Sequence, residues 1–101
     1  MNPTRIRHLV IFCLKSAVDA EATARFLTDG TRELTSIPSV ASFQAFRQVS
    51  PKNDYDFGFS MEFTNQAAYD AYNIHPTHVA FVRDRWQTEV TRFLEIDFKE
   101  V

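Results

Sequence analysis

Residues 69–86 read Tyr-Asp-Ala-Tyr-Asn-Ile-His-Pro-Thr-His-Val-Ala-Phe-Val-Arg-Asp-Arg-Trp, and they decide how the second half of the chain folds. Pro76 ends a preceding helix, because a residue that comes before a proline avoids the helical conformation. A proline also suits the first position of a new helix, where its missing N–H is not needed. The stretch therefore predicts two consecutive helices, with His75 at the corner between them.

The helix that follows Pro76 carries a histidine close to its apolar side. His78 falls on or beside a stripe of residues at helical spacing. The stripe comprises Val79, Val82, Trp86 and Val90. An imidazole on the side of a helix that faces the core either forms a structural hydrogen bond or belongs to a functional site. The sequence leaves both interpretations open. This helix is expected to end near Thr91.

The segment of residues 5–15 alternates in the manner of a strand that is covered on both sides. One face carries Ile6, His8, Val10, Phe12 and Leu14, and the other carries Leu9, Ile11 and Cys13. Because both faces are largely apolar, the segment is expected in the middle of a sheet. His8 then shares a face with large apolar side chains.

The remaining segments alternate between helical and extended patterns. Residues 16–38 carry a helix with Asp19 available as its N-cap, and Asn65 can cap the helix that precedes the corner. Extended segments are expected at residues 40–49, 55–63 and 92–99. Gly30, inside the first helix, predicts either close packing on the sheet or space for a guest, and close packing is the commoner explanation.

This order of elements is typical of an α+β domain. It matches the ferredoxin-like β-α-β-β-α-β sandwich, in which helices cover one face of an antiparallel four-stranded sheet. The other face stays bare and carries Leu9, Ile11 and Cys13 on a central strand. Exposure of apolar residues to water is unfavourable, and a second copy of the chain would bury them. We therefore expect a homodimer whose two sheets face each other.

Composition limits the function classes. The 101 residues, 45% of them hydrophobic, suit a single domain spanning 1–101. Eleven basic and thirteen acidic residues, without a basic run, argue against a nucleic-acid partner. No segment reads as a signal peptide or a membrane span, so a cytoplasmic protein without a membrane partner is expected. Cys13 is the only cysteine and is expected to be a small buried hydrophobe.

Several short motifs together resemble the stress-responsive A/B barrel domain family, known as Dabb. They are Ile-Arg-His-Leu-Val-Ile-Phe at 6–12, Ile-Pro-Ser-Val at 37–40, Tyr-Asp-Phe at 55–57, Tyr-Asp-Ala-Tyr at 69–72 and His-Pro-Thr-His-Val at 75–79. The resemblance covers residues 5–99 in the family's order and spacing. It implies a dimeric α+β barrel, with plant members that are induced by stress. One branch is a polyketide cyclase that closes a linear tetraketide thioester by aldol condensation without a cofactor.

Carried over residue by residue, the resemblance to the cyclase branch assigns three site residues. His78 would be the catalytic base, Tyr72 its hydrogen-bonding partner and His8 a third polar group of the pocket. An imidazole titrates near neutral pH and a phenol can hydrogen-bond a developing enolate oxygen, so this chemistry suits the residue types. The chain departs from that branch on the first helix, where residues 26–30 lack the branch's pocket tyrosine.

Three functions from different classes remain open. The first is a dimeric protein that holds a small apolar or polyketide-like ligand, with His8 and His78 orienting its polar end. The second is a cofactor-free enzyme, a cyclase-like lyase or a monooxygenase-like protein, that uses His78 as general base. The third is a structural dimer in which both histidines satisfy buried backbone groups. The expected ligand-binding residues are Phe12, Phe26, Phe57, Phe59, Val82 and Trp86.

A metal site is a further possibility that the sequence does not favour. His75, His78 and His8 supply three imidazoles, which is enough for a zinc-like ion. However, His75 at the helix boundary is expected to face away, and no carboxylate is evidently placed to orient the rings. We therefore expect neither a metal nor another cofactor.

Overall fold

The computed structural model describes residues 4–101, and these form one four-stranded antiparallel sheet with helices on one face. The elements in chain order are β1 (Ile6–Leu14), α1 (Glu21–Thr35), β2 (Ala41–Arg47), β3 (Phe57–Phe63), α2 (Gln66–Ile74), α3 (Pro76–Phe81), a π-helical turn (Val82–Trp86), α4 (Gln87–Glu89) and β4 (Val90–Phe98). The strand order is β2-β3-β1-β4. The prediction of a ferredoxin-like α+β fold with four antiparallel strands is confirmed.

Strand β1 is central and shows the expected alternation. Its buried residues are Ile6, His8, Val10, Phe12 and Leu14. They lie on the helix-covered face, where phenylalanine rings from β3 and α1 fill most of the core. Burial of large apolar side chains on this face is the main force that holds the helices on the sheet. His8 is therefore the one imidazole that is embedded in the sheet itself.

The corner at Pro76 forms as predicted. Asn65 caps α2, its side-chain oxygen accepting a hydrogen bond from the Ala68 amide at 2.9 Å. His75 ends α2 in an extended conformation, and Pro76 is the first residue of α3. The His75 side chain caps α3, because its Nδ1 accepts from the Thr77 amide at 3.1 Å. The cap prediction for α1 is wrong: the N-cap is Ala20, which makes no side-chain cap, and Asp19 precedes it.

The helix after Pro76 contains a feature that the apolar spacing does not reveal. The turn Val82–Trp86 is π-helical, with one residue more than an α-helical turn. The helical segment ends at Glu89, and β4 begins directly at Val90 rather than near Arg92. The wider turn changes the angular position of Trp86 relative to Val82.

Strand β4 is an edge strand whose two faces differ in character. Asp97, Glu95 and Phe93 lie opposite His8, Val10 and Phe12 in the register, so they belong to the helix-covered face. Ile96 and Leu94 lie opposite Leu9 and Ile11 on the open face. Glu95 and Asp97 therefore lie on the helix-covered side of this strand, and Leu94 and Ile96 lie on its open side.

Gly30 packs closely on the sheet, as expected. A Cβ at this position would lie 3.1 Å from Phe59 Cζ and 3.2 Å from Phe81 Cζ.

Among the helices described within residues 4–101, none is long and apolar enough to cross a bilayer.

Candidate functional site

A cavity of about 210 Å³ lies between the sheet and the helices on both sides of the Pro76 corner. Most of its lining is apolar: Val10, Leu34, Phe59, Met61, Phe81, Val82, Trp86 and Phe93. The polar lining consists of His8, Tyr72, Asn73, His78 and Glu95. An apolar cavity with a few convergent polar groups is the usual form of a small-molecule site.

His8 enters the cavity from β1 and is only 5% exposed. Its Nδ1 lies 2.6 Å from Asp97 Oδ1 on the neighbouring strand β4. Tyr69, from α2, donates its hydroxyl proton to Asp97 Oδ2 at 2.9 Å, and its oxygen is 3.2 Å from His8 Nδ1. Because a carboxylate can only accept, Nδ1 carries the proton and Nε2 is the ring nitrogen left for the cavity. The expectation that no carboxylate orients an imidazole is thereby corrected.

His78 enters the cavity from α3, one turn after the proline. Its Nδ1 lies 3.1 Å from the backbone carbonyl oxygen of Asn73, the residue two before the corner. A carbonyl accepts only, so Nδ1 donates and Nε2 keeps its lone pair. Burial lowers the pKa of the His78 imidazole, more than the Asn73 hydrogen bond raises it. His78 is therefore a neutral base at physiological pH.

Tyr72, from α2, is buried beside both imidazoles. Its ring centroid lies 4.2 Å from that of His78 and 6.1 Å from that of His8. Burial raises the pKa of the Tyr72 phenol, and the charge of Glu95 adds to the effect. Tyr72 therefore stays protonated and can donate a hydrogen bond. Its contact with His78 is ring packing, and the hydrogen-bonding partner of His78 is the Asn73 carbonyl instead.

The structure brings His8, Tyr72 and His78 together around one cavity, and it divides the expected apolar residues. Phe59, Val82 and Trp86 line the cavity. Phe12 and Phe26 are completely buried in the core and Phe57 is 4% exposed, and none of these three lines the cavity. His75 caps α3, and within residues 4–101 no group of three or more His, Cys, Asp and Glu side chains is arranged to hold a metal.

Four polar residues of the site are missed by sequence reasoning: Tyr69, Asn73, Glu95 and Asp97. The only signal for the two acids is their spacing of two on a strand whose other face is aliphatic. This spacing becomes informative once β4 is placed beside β1, because His8 and Asp97 are then register partners. The Asn73 contact is made by a backbone carbonyl, which no residue pattern reports.

Comparison with known families and structures identifies the chain. Residues 6–100 match the family model for the stress responsive A/B barrel domain, Dabb. The chain belongs to the Dabb family. A solved Dabb family protein with a ferredoxin-like fold from Mesorhizobium loti is 55% identical to it. That match covers 97% of this chain and 98% of the other, with a TM-score of 0.96.

Two more distant structures share the Dabb fold. A protein from Thermobifida fusca, described as dimeric, ferredoxin-like and of unknown function, is 18% identical, with a TM-score of 0.80 and coverage of 99% of this chain and 94% of that one. A hydroxynitrile lyase from Passiflora edulis is 13% identical, with a TM-score of 0.85 and coverage of 98% of this chain and 95% of that one. At such identities the likeness concerns the fold alone. No curated protein matches the sequence.

Proposed function

We propose that this Dabb protein is a homodimer that holds a small, mainly apolar molecule in the cavity between sheet and helices. The observation that carries the proposal is that two imidazoles, from β1 and α3, line one cavity whose other walls are mostly apolar. Each imidazole is fixed through Nδ1 by a neighbouring acceptor, Asp97 for His8 and Asn73 for His78. Such fixed polar groups orient the polar end of a ligand, while the phenylalanine and tryptophan rings bind its apolar part.

The open face of the sheet supports the dimer. Ile11 and Leu94 face each other there in register, as do Leu9 and Ile96. Leu94 is 46% exposed and Phe98 is 49% exposed in the single chain. A contiguous apolar strip of this kind is stabilised when a second copy covers it. The Thermobifida fusca neighbour, which is described as dimeric, is consistent with that arrangement.

A second candidate function is cofactor-free proton transfer, and the state of His78 favours it. A neutral imidazole with its Nε2 lone pair in an apolar cavity can remove a proton from a carbon next to a carbonyl. The electron pair of the C–H bond moves to the carbonyl oxygen, which becomes an enolate. The protonated Tyr72 phenol can then donate a hydrogen bond to that oxygen. The resemblance to the polyketide cyclase branch is consistent with chemistry of this class.

Ligand binding and turnover test the two candidates separately. Wild-type protein is screened by thermal shift with apolar compounds that carry one polar end, including β-keto thioesters and aromatic hydroxynitriles. A compound that binds the native state raises the midpoint, and the added stability grows with the logarithm of one plus its concentration divided by Kd. Compounds that bind are then assayed for turnover with wild type, His78→Gln and Tyr72→Phe. Loss of the base in His78→Gln is expected to lower the rate by about 100-fold or more.

Tyr55→Phe is the matched control, because it removes the same hydroxyl from a tyrosine that does not line the cavity and packs against Arg92 instead. It is expected to retain both binding and turnover. Binding without turnover supports the ligand-holding function alone. If no compound binds, and His78→Gln changes only stability, both histidines are structural groups and the proposal fails.

A further inference from the structure

We infer that the cavity selects a molecule whose polar end is a hydrogen-bond donor, such as a phenol, enol or alcohol, because both imidazoles present Nε2 as an acceptor. This inference rests on the proposed ligand-holding function and adds the chemical class of the ligand. It also makes Asp97 a positioning residue, which acts on the ligand through His8, while Tyr69 donates a hydrogen bond to the Asp97 carboxylate.

The protein fixes the tautomer of His78 through its backbone. Asn73 O is 3.1 Å from His78 Nδ1, and this oxygen accepts but cannot donate. The arrangement is built into the Pro76 corner, since Asn73 is in the last turn of α2 and His78 in the first turn of α3. In its neutral form His78 can offer the cavity only the Nε2 lone pair.

The protein fixes the tautomer of His8 through a three-residue network. Asp97 accepts from His8 Nδ1 with one oxygen, at 2.6 Å, and from the Tyr69 hydroxyl with the other, at 2.9 Å. Asp97 belongs to the edge strand β4, and the Tyr69 side chain of α2 fixes the position of its carboxylate. Neutral His8, like His78, therefore has its proton on Nδ1 and its lone pair on Nε2.

The remaining polar groups of the cavity are Glu95, Tyr72 and Asn73. Glu95, a carboxylate on the exposed edge strand, is a third acceptor, whereas the Tyr72 hydroxyl can donate and the Asn73 side-chain amide can donate or accept. A bound ether or hydrocarbon would strip water from the two Nε2 atoms and leave them unpaired, which costs free energy. A hydroxyl satisfies one of them directly, so a site of this kind discriminates strongly against analogues that lack it.

The tautomers are tested first, independently of any ligand. Long-range ¹H–¹⁵N spectra of the wild-type imidazoles are recorded at about pH 8, where an ordinary histidine is neutral. For both rings we expect a protonated Nδ1 and an unprotonated Nε2. Asp97→Asn is expected to move His8 toward the opposite tautomer, because the amide can donate to Nδ1, and to leave His78 unchanged. Tyr69→Phe keeps the ring packed on Phe63 and retains Asp97, so His8 is expected to keep its tautomer.

Donor selectivity is tested next with a matched pair, 4-ethylphenol and 4-ethylanisole, titrated into wild type and Asp97→Asn. In wild type the methyl ether is expected to bind at least about fivefold more weakly, from the loss of one hydrogen bond. In Asp97→Asn this ratio is expected to fall. Equal affinity in wild type, or an Nε2–H tautomer in either ring, overturns the inference. If neither compound binds while both tautomers are as stated, the ligand-holding function fails and the positioning role of Asp97 stands.

Discussion

At the scale of single residues, burial sets the protonation of His78 and makes the stability of the fold depend on pH. Burial lowers the pKa of His78 in the native state, whereas an unfolded chain has a histidine pKa of about 6.5. Its neutral ring is compatible with the fold at higher pH. As the pH falls below about 6.5, the unfolded state takes up the proton first, and the free energy of unfolding decreases.

The variant His78→Gln is therefore expected to lose part of this acid sensitivity. Glutamine keeps an N–H donor for the Asn73 carbonyl but has no titrating group near neutral pH. Urea unfolding of wild type and variant between about pH 5 and pH 8 measures the difference. Identical slopes of unfolding free energy against pH would show that the buried ring does not contribute to the slope.

Residue patterns in the sequence identify some residues of the site and miss others. His8 and His78 are identifiable because each is a polar residue on an otherwise apolar face, one at a spacing of two and the other at helical spacing. Asp97 is not identifiable in that way, since its role depends on lying beside His8 in the neighbouring strand, and the two residues are 89 positions apart in the chain. Pairing of distant strands is fixed by the whole sheet, and a local pattern does not encode it.

At the scale of elements, α1 controls the size of the cavity through Gly30. Its missing side chain lets the helix approach Phe59 and Phe81, and both rings line the cavity. Gly30→Ala adds a Cβ at 3.1–3.2 Å from these rings, which is closer than ordinary contact. We expect the rings to move toward the open space, so that the cavity shrinks and the proposed ligand binds less tightly.

The expected change in stability is small, because two effects oppose each other. Alanine favours a helix by about 1 kcal/mol over glycine, and overpacking costs about 1–3 kcal/mol. Thr28→Ala is the control, since Thr28 is exposed on the same helix and its replacement raises only helix propensity. Denaturation and ligand titration of both variants separate the effects. Unchanged ligand affinity in Gly30→Ala would mean that the Phe59 and Phe81 rings do not move into the cavity.

Elements also differ in how well their ends follow from the sequence. Asn65 and Pro76 mark helix starts correctly, because each acts on backbone groups within its own turn. Asp19 does not cap α1, and the π-helical turn at Val82–Trp86 has no signal in the apolar spacing. The π-helical turn makes a tertiary contact with α1, because Arg85 within it donates to Asp29 at 2.6 Å. Contacts of this kind are made only after the helices meet.

At the scale of the whole molecule, the sheet has one face covered by helices and one apolar face that a second copy would cover. Leu94 lies on that open face opposite Ile11, and it is 46% exposed in the single chain. Leu94→Lys should therefore leave the fold of one chain intact, because the ammonium stays in water. Between two facing sheets the same group would be desolvated without a partner, which weakens association by at least about 100-fold.

Sedimentation over a range of protein concentrations measures this effect. Wild type is expected to sediment as a dimer, and Leu94→Lys as a monomer with unchanged circular dichroism. Thr28→Lys introduces the same charge on the exposed side of α1 and is expected to remain dimeric. A wild type that stays monomeric would contradict the homodimer itself. A Leu94→Lys variant that dissociates at the same concentration as wild type would place the contact between copies away from the open sheet face.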